Sequence, residues 1–203
     1  KYALACAEEI RMQYAEIMAH AGGIRDATMS AGIAIVPVNY PLDQALEEAR
    51  KAEKSAKNAF GRNAVVFTEV HGAGRQRIAG AQWETGGVTI VHIVHELIAA
   101  FSEPAWLSAS IGYDLQMLAH DLVGGPVGAE IREAELARLM MRRSMSYHER
   151  AEDRRVPLET FAKDLSILGE APTCGWESLA NWVILARFLA TIGDRSRTVN
   201  KLC

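Results

Sequence analysis

Between Arg50 and Arg62 the chain carries five basic residues and one acid. Arg50, Lys54 and Lys57 fall at i, i+4 and i+7 in a stretch of helical periodicity, so they share one helix face. Such a line of point charges suits a triphosphate, because ammonium groups neutralise phosphate oxygens without demanding one fixed geometry. On spacing alone the commoner reading is a solvated helix face partly balanced by Glu47, Glu48 and Glu53. Two other groups have metal-ligating residue types. His92-Ile93-Val94-His95-Glu96 sets its histidines at i, i+3, whereas zinc helices use i, i+4 with a glutamate between them. His120-Asp121 would need a further aspartate to complete a metal phosphohydrolase set, and none of Asp153, Asp164 or Asp194 stands out. Neither group is expected to hold a metal. Nucleophile elbow, Walker loop and dinucleotide fingerprint are all missing from the sequence.

The basic line needs a helix to carry it, and the pattern around it supplies one. Leu42, Ala45, Leu46, Ala49, Ala52 and Ala56 form an apolar stripe over roughly residues 42–59, opposite the basic face and closed by Gly61. Small alanines let such a helix lie close to a sheet. An amphipathic helix is predicted over 2–20 and a buried strand over 28–36 (TMSAGIAIV), closed by Pro37. A second strand is predicted over 63–70 (NAVVFTEV), with a partner strand over 75–83. Beyond Gly86-Gly87 the pattern turns almost wholly helical, with helices at about 88–101, 105–121, 128–150, 157–167 and 175–192 punctuated by Pro104, Gly124-Gly125-Pro126, Pro157 and Pro172. The expected division is residues 1–87 as an α/β unit and residues 88–203 as a helical bundle.

Bulk composition narrows the classes. The 203 residues carry 22 basic and 25 acidic side chains, a net charge of -3, which argues against a chain that coats nucleic acid with its whole surface. Hydrophobic residues at 49% exclude disorder. Cys6, Cys174 and Cys203 are far apart and unpaired by spacing, as expected of free thiols in a reducing compartment. The longest apolar stretch, around Val88–Phe101, is broken by His92, His95 and Glu96, and no signal peptide opens the chain. A cytoplasmic location and no membrane partner are expected. The opening Lys1-Tyr2-Ala3-Leu4-Ala5-Cys6 is already in helical rhythm without Met or cap, which points to a piece of a longer protein.

The order of elements carries a resemblance. Ser30-Ala31-Gly32-Ile33 in the first strand, Ala56-Lys57 near the helix end, and Gly61-Arg62-Asn63 before the next strand resemble the closing half of a GGDEF-like cyclase palm. With Tyr40-Pro41-Leu42 ahead of the helix, Gly80-Ala81-Gln82-Trp83-Glu84 after the second strand and a helical tail, the chain looks closest to the large polymerase/cyclase subunit of type III CRISPR effector complexes, Cmr-like branch. The resemblance covers about residues 2–85 well and the rest loosely. It implies an α+β chain: a ferredoxin-like, GGDEF/cyclase-type palm half followed by an all-α helical domain. It also implies conversion of ATP to cyclic oligoadenylates on target-RNA binding, with Mg2+ or Mn2+ held by an acidic GGDD turn. The chain has no Gly-Gly-Asp-Asp, and in the family order that turn precedes Lys1, so the fragment alone is expected to be inactive. By the motif match Lys57, and more weakly Lys54, would hold phosphate oxygens. Ser30 would contact base or ribose, and Gly32 would permit close approach of backbone either to the nucleotide or to a packing neighbour.

The tail supports a reading of a different class. Arg138, Met141, Arg142, Arg143 and Arg150 form a basic flank, while Trp176 and Trp182 sit with Leu179, Ile184, Leu185, Phe188 and Leu189 in a last helix expected to be core. The flank suits electrostatic contact with a neighbouring subunit or with guide–target RNA. That would make the chain a non-catalytic module docking small helical CRISPR subunits. A diguanylate-type cyclase is disfavoured, since that domain ends after its last strand.

Overall fold

The alanine stripe of the second predicted helix meets a row of small residues on the sheet, and this meeting organises the first part of the chain. In the computed structural model, residues 2–24, 26–102, 105–123, 128–144 and 151–200 are described. Helix α1 spans Tyr2–Gly22, strand β1 Ala31–Ile35, helix α2 Leu42–Asn58, strand β2 Ala64–Val70 and strand β3 Gln76–Gln82. The sheet order is β1-β2-β3, with β1 parallel and β3 antiparallel to β2. The register puts Gly32 and Gly80 on either side of Val66. Val66 clusters with the buried Ala52, Ala56 and Ala64 and with Phe60, so this glycine–valine–glycine row faces α2.

Both glycines are occupied space. A Cβ on Gly32 would lie 2.2 Å from the Glu53 backbone nitrogen and 2.4 Å from the Ala49 carbonyl oxygen, and one on Gly80 would lie 2.5–2.6 Å from Phe60 ring carbons. Helix α2 is also tied to the opposite edge. The buried Glu48 carboxylate accepts from Gln76 Nε2 at 2.7 Å and from Lys51 Nζ at 2.9 Å. Helix α1 buries Leu4 but leaves Ile10, Tyr14 and Ile17 exposed along one side, and β1 is only half-buried along its length.

The chain divides after Glu84, and residues 85–203 form the second unit. Its helices are α3 (Ile90–Phe101), α4 (Ile111–Val123), α5 (Ala129–Arg143), α6 (Ala151–Glu170) and α7 (Gly175–Asn200). Leu179, Ala180, Trp182, Val183, Leu185 and Ala186 are buried on every side of α7, which packs on α3, α4 and α6. Gly112 lets α4 approach α7, since a Cβ there would meet Ile184 at 2.4 Å. Glu170 joins three helices: it accepts two bonds from the Arg132 guanidinium of α5 and one from Trp176 Nε1 of α7 at 3.1 Å.

The α+β class stands, with a small mixed sheet followed by helices, but several expected helices shift. The one predicted over 88–101 begins at Ile90, because Val88–Thr89 is extended and Thr89 caps the helix by accepting from the His92 N–H. The one predicted over 105–121 begins only at Ile111. Ser108 accepts from Ser110 N–H, and the Ser108 N–H pairs with the Arg143 carbonyl at 2.9 Å, holding the segment as a turn against the end of α5. Helix α5 ends at Arg143, and residues 145–150 of the expected span lie outside the described residues. Helix α6 runs through Pro157, which removes a single N–H from the ladder.

Two outcomes test this packing. Gly32→Ala forces backbone apart rather than a flexible side chain, so it lowers unfolding free energy by about 3 kcal/mol, at the upper end for overpacking, read from the urea midpoint. In the second unit, hydrogen bonds from Arg132 and Trp176 hold the Glu170 carboxyl below its ordinary range against partial burial. A carboxyl with a depressed folded pKa stabilises above its unfolded pKa and loses that effect as pH falls through the folded value. Glu170→Gln therefore lowers Tm by a few degrees at pH 7, and the gap from the parent closes as the pH drops below the normal glutamate range.

Candidate nucleotide site

Because α2 returns antiparallel to the two parallel strands it connects, its C-terminus lies at the end of the sheet where β1 and β2 begin. Gly32 meets α2 at Ala49 to Glu53, so Ser30, two residues earlier in the chain, lies toward the last turn of α2. On the helical wheel, Glu53 and Lys57 share the flank that β1 packs against, while Glu48 and Lys51 occupy the flank facing β3. The turn from α2 into β2 is left-handed at three consecutive residues, Gly61, Arg62 and Asn63, with φ of 78°, 65° and 44°. Its backbone is held by Arg62 N–H donating to the Ala56 carbonyl at 3.1 Å. Arg62 pays a steric cost that Gly61 avoids, and such conformations cluster where a side chain must be presented in a set direction.

The predicted residues distribute as follows. Lys57 is exposed on the β1 flank and ion-paired with Glu53. Lys54 is exposed farther round the helix, pointing away from the sheet, and has no ion pair among the described residues. Arg50 is exposed on the same face. Lys51, another cation of the run, is committed to Glu48, whose carboxylate raises its pKa. Ser30 is half-buried just ahead of β1. Gly32 has its free face filled by the α2 backbone. The fold thus brings Lys57, Ser30 and the Gly61–Asn63 turn to one end of the sheet, with Lys54 at its margin.

Sequence reasoning passed over the group that braces this end. Trp83 is buried; its backbone N–H donates to the Asn63 carbonyl at 2.9 Å and its Nε1–H to the Met29 carbonyl at 2.8 Å. The Arg11 guanidinium of α1 lies 5.4 Å from the Trp83 ring centroid, a cation–π contact. The Gly-Ala-Gln-Trp-Glu stretch marked Trp83, but no local pattern marks Arg11.

Among the described residues, two arginines of the tail's basic flank are neutralised within the chain. Arg138 pairs with Glu135 in the same helix, and Arg143 makes a two-pronged pair with Asp114 at 2.6 and 2.9 Å. Arg142 is exposed, and Arg150 lies outside the described residues. Trp176 and Trp182 are core. His92, His95 and Glu96 line the exposed side of α3, and His120 is exposed on α4. Among the described residues no group of three or more His, Cys, Asp or Glu is placed to hold a metal ion. Cys6 and Cys174 are free thiols; burial pushes the latter up to about 12, which makes it inert. No described helix is long and apolar enough to cross a membrane.

A strand–helix–strand unit with small residues under the helix and lysines beside a left-handed exit turn fits a palm-type domain. Residues 1–66 match the family model of the Cas10/Cmr2 second palm domain, a match that supports the C-terminal region of a Cas10/Cmr2-type large subunit. The match takes in α1, β1, α2 and the first residues of β2. No curated protein matches the chain.

The left-handed turn gives a direct test. Arg62→Gly removes the steric cost at φ 65° and raises unfolding free energy by up to about 1 kcal/mol, offset in part by the freer unfolded chain. A drop in the urea midpoint would show instead that the Arg62 side chain packs.

Proposed function

We propose that this chain forms one wall of the nucleotide site in a type III CRISPR large subunit that joins ATP into cyclic oligoadenylates when target RNA is bound. Lys57 neutralises phosphate oxygens, Lys54 adds charge at the margin, and Ser30 offers a hydroxyl to ribose or base. The observation that carries this reading is that α2 returns Lys57 to the end of the sheet where Ser30 leads into β1, on the flank that β1 packs against. Gly32 contributes by packing: it lets the helix lie close enough for its last turn to overhang the strand start.

Lys57 meets a nucleotide already paired with Glu53, and both groups are partly exposed. An exposed pair of this kind is worth little in water, so a triphosphate carrying several charges displaces the carboxylate at small cost. A divalent ion would polarise the α-phosphate in such chemistry. Among the described residues no group of three or more His, Cys, Asp or Glu is placed to hold such an ion. Among the described strands β1 is paired on one side only, and α1 exposes Ile10, Tyr14 and Ile17; further strands of a palm would cover both surfaces.

In the assembled complex, Lys57→Ala lowers cyclic oligoadenylate output at subsaturating ATP at least tenfold while subunit composition stays unchanged on native gels. Unchanged output would remove Lys57 from the site.

A further inference from the structure

Strand β1 has β2 on one side only among the described strands, and its ladder begins at Ala31 opposite Val65. Ser30 therefore lies just outside the ladder. What fixes the chain there is Trp83. Its indole N–H holds the Met29 carbonyl at 2.8 Å, and that carbonyl belongs to the peptide plane leading into Ser30. The grip is stiff: the ring is buried and lies against the Arg11 guanidinium, and its backbone N–H is anchored on Asn63, whose peptide opens β2. Trp83 thus braces two strand starts by two different atoms. The backbone bond steadies the Gly61–Asn63 turn beyond α2, and the side-chain bond steadies Met29–Ser30.

We infer that Trp83 is a positioning residue of the nucleotide site, acting through its indole N–H on the Met29 carbonyl to orient Ser30 toward the nucleoside end of the ligand. This rests on the proposal that Ser30 and Lys57 contact the nucleotide. Because the two strand starts are braced by separate atoms, the nucleoside and phosphate ends respond separately when the indole donor is lost. Trp83→Phe keeps an aromatic ring against Arg11 and the backbone bond to Asn63, but leaves Met29 without its donor. The Met29–Ser30 peptide is then free to turn toward water.

The test is equilibrium binding to the complete natural protein that carries this chain, using ATP with Mg2+ and inorganic triphosphate as separate probes. Trp83→Phe weakens ATP about fivefold, the worth of one neutral hydrogen bond, and leaves triphosphate unchanged. Ser30→Ala does the same, and the double variant loses no more than either single one. Lys57→Ala weakens both probes. Equal loss of both probes in Trp83→Phe would reduce Trp83 to general stability, and an unchanged ATP affinity would overturn the inference as well. If Lys57→Ala leaves both affinities intact, it is the nucleotide reading itself that fails. Should Trp83→Phe not fold, the unsubstituted protein still decides: with 15N-labelled tryptophan, ATP slows solvent exchange of the Trp83 Nε1 proton and triphosphate does not. An ATP-insensitive exchange rate would refute the coupling.

Discussion

The near-contact between the backbone of α2 and Gly32 is the constraint on which the first unit depends. A helix carrying ordinary apolar side chains packs about 10 Å from a sheet, and any side chain at residue 32 would hold α2 at that distance. With glycine on the strand and Ala49 and Ala52 on the helix, backbone meets backbone. The helix then cannot rotate without driving Glu53 or Ala49 into β1. That fixes its azimuth, so the stripe Arg50, Lys54 and Lys57 has one orientation and Lys57 lies beside β1. Phe60 over Gly80 and Glu48 on Gln76 pin the other side. Charge placement in this domain follows from the absence of a methyl group.

The end of the sheet shows the complementary arrangement, in which polar bonds replace packing. Trp83 links the last residues of β3 to the starts of β1 and β2, and Arg11 brings α1 to the same point. The left-handed Arg62 and Asn63 persist because the chain around them is held: Arg62 N–H by the Ala56 carbonyl and the Asn63 carbonyl by Trp83. Strain and bracing occur together at the edge where ligand chemistry is proposed, the distribution expected when local stability is exchanged for a set geometry.

Much of this was legible in the residues. Alanine periodicity, the closing Gly61 and the β-branched run before Pro37 located α2 and β1 to within a few residues, because one-face burial writes a period into the sequence. Ser30, Gly32 and Lys57 were singled out through the order of motifs, and strand–helix–strand order alone puts Ser30 and Lys57 toward one end of the sheet. Gly32 could not be assigned from sequence, since a glycine that admits a ligand and one that admits a helix look alike. Arg11 was invisible: its partner lies 72 positions away, and contacts that distant leave no local period. The helix expected from residue 105 failed for a related reason. Ser108 and Ser110 can serve a helix or a turn, and pairing with the distant Arg143 and Ser144 decides for the turn.

The same distinction governs the helical unit's charges. Read along the sequence, Arg138, Arg142 and Arg143 form a basic flank suited to RNA. In three dimensions Arg138 faces Glu135 and Arg143 faces Asp114 in a two-pronged pair that ties α4 to α5. Affinity for a phosphate backbone comes from releasing counterions condensed on the nucleic acid, and a guanidinium already neutralised by a carboxylate must first give up that partner. For Arg143 this also means loosening a helix contact. Among the flank's described arginines, Arg142 is exposed and has no ion pair. Among the described residues Arg132, Arg138 and Arg143 therefore act first on this unit's own packing, and the nucleotide chemistry proposed above falls instead at the strand starts of the first unit.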